Sequence, residues 1–333
     1  MNSELLIKIF EAFTKKDDEL FYKIAWDITE EEKRKKHHLL AEQLKRILTE
    51  NSVTLHKNYS QEIPPIPRDN EKGFRLLDVK KFFLDWDDVV LAKETEEILR
   101  QIVKELEEED VLATYGLKPK QKILFYGPPG TGKTLTAKVM SSIIGYPLVY
   151  VRFESVISSY LGETASNLRK IFDYMEKGKW VVLFDEFDII GKQRDDPTEH
   201  GEIKRVVNNF MLMLENYEGD SMIMASTNHP HLLDIGVWRR FDEIIYFGLP
   251  DKERRKKIFE KYLKVMKKDK IFDFKKISEE SDRFSGADIE QVCIDALKMA
   301  ILRGKDFVSF NDVKKAISKQ KQKMQAKKVI KYE

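Results

Sequence analysis

The sequence predicts an α/β fold: a doubly wound parallel sheet covered by helices on both faces, with a small helical unit after it and a helical module before it. Three observations predict it. Short apolar runs, "KILFY" (122–126), "LVYVRF" (148–153), "WVVLF" (180–184), "SMIMA" (221–225) and "EIIYF" (243–247), alternate with helical stretches. Strands apolar at nearly every position are buried on both sides, as in a parallel sheet. After Pro250 such runs stop, and "DKERRKKIFEKYLKVM", "GADIEQVCIDALKMAILRG" and "FNDVKKAISKQ" carry helical periodicity instead.

The first ~50 residues read as two or three helices by the same periodicity. Leu5, Leu6, Ile9, Phe10 and Phe13 share one face; Leu39, Leu40, Leu44, Ile47 and Leu48 make another. Thr29 and Glu32 have the spacing of a capping box opening the later helix. A polar stretch with Pro64, Pro65 and Pro67 then has the composition of a linker. The predicted division is a helical module over 1–50, a linker over 51–80, a large α/β domain over 81–250, and a helical lid with a basic last helix over 251–333. Ser309 with Asp312 caps that last helix.

Composition narrows the function classes. The chain has 333 residues, 35% of them charged, yet its net charge is only +2, which argues against a dedicated nucleic-acid binder. A single cysteine, Cys293, makes no internal disulfide and points to a reducing compartment. No apolar run reaches membrane-spanning length, and "MNSELLIKIFEAF" lacks a basic segment followed by an apolar core. The expectation is a cytoplasmic protein without a membrane span.

The most specific motif is "GPPGTGKT", Gly127 to Thr134, which follows a predicted strand and opens a predicted helix over about Lys133 to Ile144. Backbone N–H groups wrapping phosphate oxygens need Cβ-free positions at the tight points, and Gly127, Gly130 and Gly132 supply them. Pro129, Thr131 and Leu135 complete the loop and first turn. Lys133 neutralises β- and γ-phosphates, the Thr134 hydroxyl ligates Mg²⁺, and the helix dipole favours the same anions. This pattern defines a P-loop NTPase site. "VVLFDEFD" then places Asp185 and Glu186 at the carboxyl end of a strand, where ligands of α/β sheets bind. Asp185 suits Mg²⁺, largely through water, and Glu186 suits polarisation of the water that attacks the γ-phosphate. Asp188 is read as a surface or supporting residue.

With these motifs the chain resembles the AAA+ superfamily from about Asp87 to Lys315, closest to its AAA-proper subgroup. "ASTNHPHLLD" is similar to the subgroup's second region of homology, which implies that Asn228 senses the γ-phosphate and helps place the lytic water. "FSGADIEQVC" resembles its small-domain signature, with Ala287 where other AAA+ groups carry a sensor arginine. "DDVVLAKE" and "TYGLKP" resemble the segments bordering the adenine, around Val89, Val90 and Gly116.

The resemblance also bears on "VWRRFDEI", where two arginines stand back to back. AAA-proper proteins carry two arginines before Phe-Asp, spaced by a Pro-Gly-type insert that is missing here. It implies that Arg239 and Arg240 reach the γ-phosphate held by a neighbouring subunit, as arginine fingers worth about 10³–10⁵ in rate. The alternative is a local pair serving Asp242 and Glu243. An arginine supplied in trans makes a homo-oligomer part of the mechanism, most often a hexameric ring. Tyr160-Leu161-Gly162, in "VISSYLGETASNLRKIFD", matches the aromatic–aliphatic–glycine motif that lines the pore of such rings and grips polypeptide. The charged segment 191–202 is either a second pore-facing loop or a solvated connection.

Other features read as ordinary structure. His37-His38 and the pair His229 and His231 lack the spaced partners of a metal site. Met211, Met213, Met222 and Met224 read as core, and Cys293 as buried and inert. No H-E-x-x-H motif or serine-nucleophile elbow is present, so no peptidase is fused to the ATPase. The reading is a Mg²⁺-dependent ATPase that remodels or unfolds proteins, choosing partners through its N-terminal module. Its rivals are a nucleic-acid-associated helper ATPase, which the lysine-rich tail favours, and a nucleotide-gated scaffold regulating a separate partner such as a peptidase.

Overall fold

The computed structural model describes residues 3–14, 18–35, 37, 40–42, 44, 63–70, 73–152, 156, 161–187 and 200–330. Two helices open the chain, α1 (Ser3–Thr14) and α2 (Asp18–Arg34). Leu5, Ile9 and Ala12 of α1 pack on Ile24 and Ile28 of α2, with Leu44 beside them. Phe10 departs from the predicted face: it is 64% exposed, because its stripe lies on the side of α1 away from α2. The capping box at Thr29 and Glu32 is not formed, since both residues lie inside α2. Thr29 Oγ1 instead donates back to Ala25 O at 2.9 Å, and Glu32 meets His37 Nδ1 at 2.7 Å. The three-residue spacing that satisfies a helix start satisfies a helix interior equally well when a turn of backbone lies behind the threonine.

The large sheet has six strands in the order β1-β3-β4-β5-β2-β6. Its members are β1 (Leu77–Lys80), β2 (Lys122–Tyr126), β3 (Leu148–Val151), β4 (Val181–Phe184), β5 (Met222–Thr227) and β6 (Glu243–Tyr246). All neighbours are parallel except β1, which runs antiparallel to β3 with Leu77 opposite Val151. The five predicted strands are all present. β1 is an addition, and it lies inside the segment read as linker. It is four residues long, pairs on one side only and ends in charge, so it lacks the uniform apolar run that marks its neighbours.

Helices cover both faces. Leu99, Ile102 and Val103 of α3 (Lys93–Glu107) and Ala137 and Met140 of α5 (Lys133–Ile144) pack on Ile123, Phe125, Leu183 and Met224. Between those helices lies α4 (Glu109–Thr114). On the other face, Leu168, Ile171 and Phe172 of α6 (Leu161–Met175) and Phe210 and Leu214 of α7 (His200–Glu215) pack on Leu124, Val182 and Ile223. Alternate residues of β2 thus serve opposite cores, which explains its uninterrupted apolar run. Met211 is buried in this second core with Met213 packed against it, and Met222 and Met224 are buried in the first.

A short helix, α8 (Ile235–Trp238), precedes β6. The lid follows as α9 (Lys252–Tyr262), α10 (Phe274–Glu280), α11 (Gly286–Leu302) and α12 (Phe310–Ile330). It has its own core, with Phe259, Phe284, Ile289, Val292, Val313 and Ile317. Cys293 is enclosed there, and burial pushes its thiol far up, so it stays protonated and inert. Strands do not stop entirely at Pro250: Lys267–Lys268 pairs with Phe307–Val308, a two-residue ladder too short to register as a pattern. The Ser309–Asp312 cap is formed reciprocally, Ser309 N donating to Asp312 Oδ2 at 3.1 Å and Asp312 N to Ser309 Oγ at 3.2 Å.

Candidate active site

Because β5 lies between β4 and β2 in a parallel arrangement, the carboxyl ends of three strands meet at one edge. Gly127 follows β2, Asp185 follows β4 and Asn228 follows β5. Motifs separated by as much as a hundred residues are thereby brought together. Hydrogen bonds lock the junctions: Gly127 N donates to Thr227 O at 3.3 Å, and Phe187 N to Ser226 O at 2.8 Å.

The loop 127–134 turns on glycines. Gly127 has φ 141°, and a Cβ there would lie 2.2 Å from Phe247 O. Gly130, at φ 75°, faces the lid: its Cβ would stand 2.8 Å from Ser285 Oγ and 2.9 Å from Ala287 Cβ. Pro129 is exposed beside it, Thr131 Oγ1 donates to Pro128 O at 2.8 Å, and Leu135 is half-buried in the first turn of α5. Lys133 is only 6% exposed and folds its ammonium back onto the loop, donating to Gly127 O at 2.8 Å and Pro128 O at 2.9 Å. The loop therefore closes around a buried cation at the start of a twelve-residue helix.

Asp185 is held by two hydroxyls. Thr134 Oγ1 donates to its Oδ2 at 2.7 Å, and Ser226 Oγ donates to its Oδ1. The next residue, Glu186, is exposed and sits at φ 52°, the left-handed region that costs a non-glycine residue about 1 kcal/mol. Its N–H donates to Asp185 Oδ1 at 3.0 Å. Asn228 is half-buried at the end of β5. The donor set fits a divalent ion of the magnesium type: one hydroxyl and one carboxylate already converge, leaving the other positions to phosphate and water. Among the described residues no group of three His, Cys, Asp or Glu could form an all-protein cage.

Beside the loop a cleft opens between the sheet domain and the lid, lined by Val90, Leu91, Thr95, Thr131, Phe247 and Gly286 among others. Val90 also packs on the lid core, while Val89 lies against the loop, its Cγ2 3.9 Å from where a Cβ on Gly132 would be. Gly116, also expected beside the adenine, follows α4. It is exposed at φ 72°, and its N–H donates to Ala113 O, so it serves as the left-handed cap of α4. Leu91 lies within "DDVVLAKE" beside the residues expected at the adenine, whereas no short motif marks Thr95 or Phe247, only their position on segments flanking the loop. Ala287 N donates to Gly130 O at 3.1 Å, joining the lid to the loop.

The two arginines diverge. Arg239 is exposed at the end of α8, and its guanidinium has no polar partner among the described residues. Arg240 is half-buried, its Nε 2.9 Å from Glu215 Oε1, close enough for an ion pair but not aligned as a hydrogen bond. Glu215 ends α7, where a carboxylate opposes the helix dipole and gains from a nearby cation. Neither flanking carboxylate serves the pair. Asp242 Oδ2 accepts from Gln121 N and Lys122 N, and Glu243 holds Lys120 Nζ at 2.6 Å. Tyr160, Asp188 and residues 191–199 lie outside the described residues, as does the side chain of Leu161.

Comparison with known proteins matches residues 123–249 to the model of the ATPase family associated with various cellular activities (AAA), and residues 271–315 to the AAA+ lid domain. An uncharacterized AAA family ATPase, y4kL, of Sinorhizobium fredii is 34% identical over 316 residues, 94% of this chain and 94% of its own length. The chain belongs to the AAA family of ATPases. Proteasome-activating nucleotidases of Saccharolobus islandicus and Saccharolobus solfataricus are also similar, at 32% and 31% identity, each over 80% of this chain and 70% of their own. As an AAA ATPase the protein binds nucleotide and hydrolyses ATP to ADP and phosphate. No helix among its described residues is long and apolar enough to cross a membrane.

Proposed function

We propose that this AAA ATPase is the subunit of a ring motor that remodels or unfolds proteins, with each active site completed by a neighbouring copy. The observation that carries the reading is the contrast at "WRRFD": Thr134 at the end of the glycine loop meets Asp185, with Asn228 at the end of the neighbouring strand, while the exposed Arg239 side chain has no polar partner among the described residues. Loop N–H groups and Lys133 hold the phosphates; Thr134 and Asp185 hold a magnesium ion, which neutralises phosphate charge. Val89, Val90 and Ala287 border the nucleotide. Glu186 accepts the proton of the attacking water, Asn228 orients that water, and Arg239 of the adjacent copy stabilises charge on the transferring phosphoryl group. Arg240, already paired with Glu215, plays the lesser part.

Action on proteins is supported by the name of the proteasome-activating relatives, and by the aromatic–aliphatic–glycine motif at Tyr160, Leu161 and Gly162. A hexamer in the cytoplasm fits the same resemblance. The N-terminal module, 1–50, selects the partner, the domain over 81–250 with β1 added performs hydrolysis, and the lid over 251–333 transmits its motion.

The test is ATPase rate per protomer against protein concentration, for wild type, Arg239→Ala and Glu186→Gln, and for the two variants mixed. Each variant alone loses about 10²–10⁴ in rate. The wild-type rate per protomer rises with concentration, and mixing restores part of it, since one mixed interface carries an intact glutamate and an intact arginine. A rate independent of concentration, with Arg239→Ala harmless, overturns the shared-site reading.

A further inference from the structure

The lid reaches the phosphate loop through one carbonyl. Gly130 O accepts from Ala287 N at 3.1 Å. A Cβ on Gly286 would stand 3.2 Å from that same oxygen, so the first turn of α11 lies directly on the loop. A trans peptide sets the carbonyl of one residue and the N–H of the next on opposite sides. Holding Gly130 O therefore also fixes the direction of the Thr131 N–H, one of the donors the loop offers to phosphate.

That first turn is itself held from a distance. Asp288 Oδ2 accepts from Ser285 N at 2.9 Å and from Ser285 Oγ at 2.6 Å, and Asp288 N donates back to Ser285 Oγ at 3.3 Å. The other oxygen, Oδ1, accepts from Gln320 Nε2 at 2.7 Å. Gln320 stands on α12, remote in sequence from every nucleotide motif, and is only 8% exposed. Its amide is the link between the last helix and the cap that touches the loop. The helix does not depend on this bond for docking. Val313, Ala316 and Ile317 are buried in the lid core, and Lys319 Nζ donates to Asp295 Oδ2 at 2.9 Å.

We propose that Gln320 is a positioning residue of the ATPase: through Asp288 it fixes the first turn of α11, and through that turn the Gly130–Thr131 peptide, so the last helix of the lid sets nucleotide affinity. The proposal rests on the reading of Gly127–Thr134 as the phosphate loop. Conversely, by linkage, nucleotide on the loop tightens the hold on α12.

The full chain carrying Gln320→Leu, Gln320→Glu or Lys133→Ala tests it, with the Kd of ADP and the KM and kcat of ATP hydrolysis measured for each. Gln320→Leu raises Kd and KM about three- to tenfold while kcat stays within about twofold, the size of effect expected for a residue acting through others. Gln320→Glu sets a second carboxylate against Asp288, so the loss is larger near pH 8. Normalised to wild type, affinity then recovers near pH 6, as the introduced carboxyl takes up a proton and donates again. A purely structural role would lower Tm without this pH signature. Kd within about twofold of wild type for Gln320→Leu, or a flat normalised profile for Gln320→Glu, overturns the relay. Lys133→Ala separates the two levels: if it binds ADP normally, the phosphate-loop reading itself fails, whatever Gln320 does.

Discussion

At Gly127 the chain passes so close to β6 that the obstacle to any side chain is backbone, Phe247 O at 2.2 Å. At Gly130 the obstacle is softer, Ser285 Oγ at 2.8 Å and Ala287 Cβ at 2.9 Å, both on the lid. Gly127→Ala should therefore cost about 2–4 kcal/mol of stability, since the sheet edge must yield. Gly130→Ala should cost only ~1–2 kcal/mol, because the lid can shift, but it should weaken nucleotide binding by parting the lid from the loop. Urea denaturation of both variants checks the ranking, and a larger loss at Gly130 would contradict it. The roles of these glycines were legible in "GPPGTGKT" because phosphate wrapping demands Cβ-free positions. Their separate obstacles were not, since Phe247 and Ser285 are neighbours only in the fold. The arginine pair shows the same limit. "WRRFD" announces two cations, but which one has a partner depends on Glu215, which the sheet delivers from the end of α7.

Single hydrogen-bonding groups decide where the lid helices begin. Asp312 is fully enclosed, and burial alone would raise its carboxyl. Hydrogen bonds from Ser309 and the Arg303 guanidinium outweigh that and hold it below the ordinary carboxylate range. Asp251 is lowered by the Arg254 N–H, which it accepts at the start of α9. A carboxyl whose folded pKa is depressed stabilises fully above its unfolded value, about 3.9, and loses that contribution as pH falls through the folded value. The lid should thus lose stability below about pH 4, and Asp312→Ala should lower it by about 1–3 kcal/mol at neutral pH while flattening the acid limb. Thermal melts from pH 7 to about pH 2 read both effects; an unchanged acid limb in the variant would remove Asp312 from the account. The Ser309–Asp312 box was legible because a polar turn precedes it. Thr29 and Glu32 carry similar spacing without being a cap, because continuous helix runs behind them and Ala25 O takes the hydroxyl. The five buried strands announced themselves by apolar runs, whereas β1 owes its existence to pairing with β3, a long-range fact no local pattern holds.

The sheet domain and the lid meet across a narrow joint. The Ala287–Gly130 bond, Val90 against the lid core, and Lys261 Nζ donating to Asp87 O at 3.1 Å connect the lid to the sheet domain. These are few and partly exposed contacts, so without ligand the lid should open in local excursions well below the cost of global unfolding. Nucleotide in the cleft touches both sides at once, and a ligand bound only to the closed form adds RT ln(1 + [L]/Kd), about 2.7 kcal/mol at a hundredfold excess over Kd. For a chain of this size that raises Tm by roughly 4 °C. The Ala287 amide is the internal reporter, because its hydrogen ends on the loop carbonyl. With saturating ADP its exchange should slow together with amides of the loop, and Lys133→Ala should abolish both the exchange effect and the shift in Tm. Protection confined to the loop, with Ala287 exchanging as fast as before, would mean that nucleotide is held by the sheet domain alone. The lid would then be a passenger, and force generated by hydrolysis would have to leave the subunit by another route.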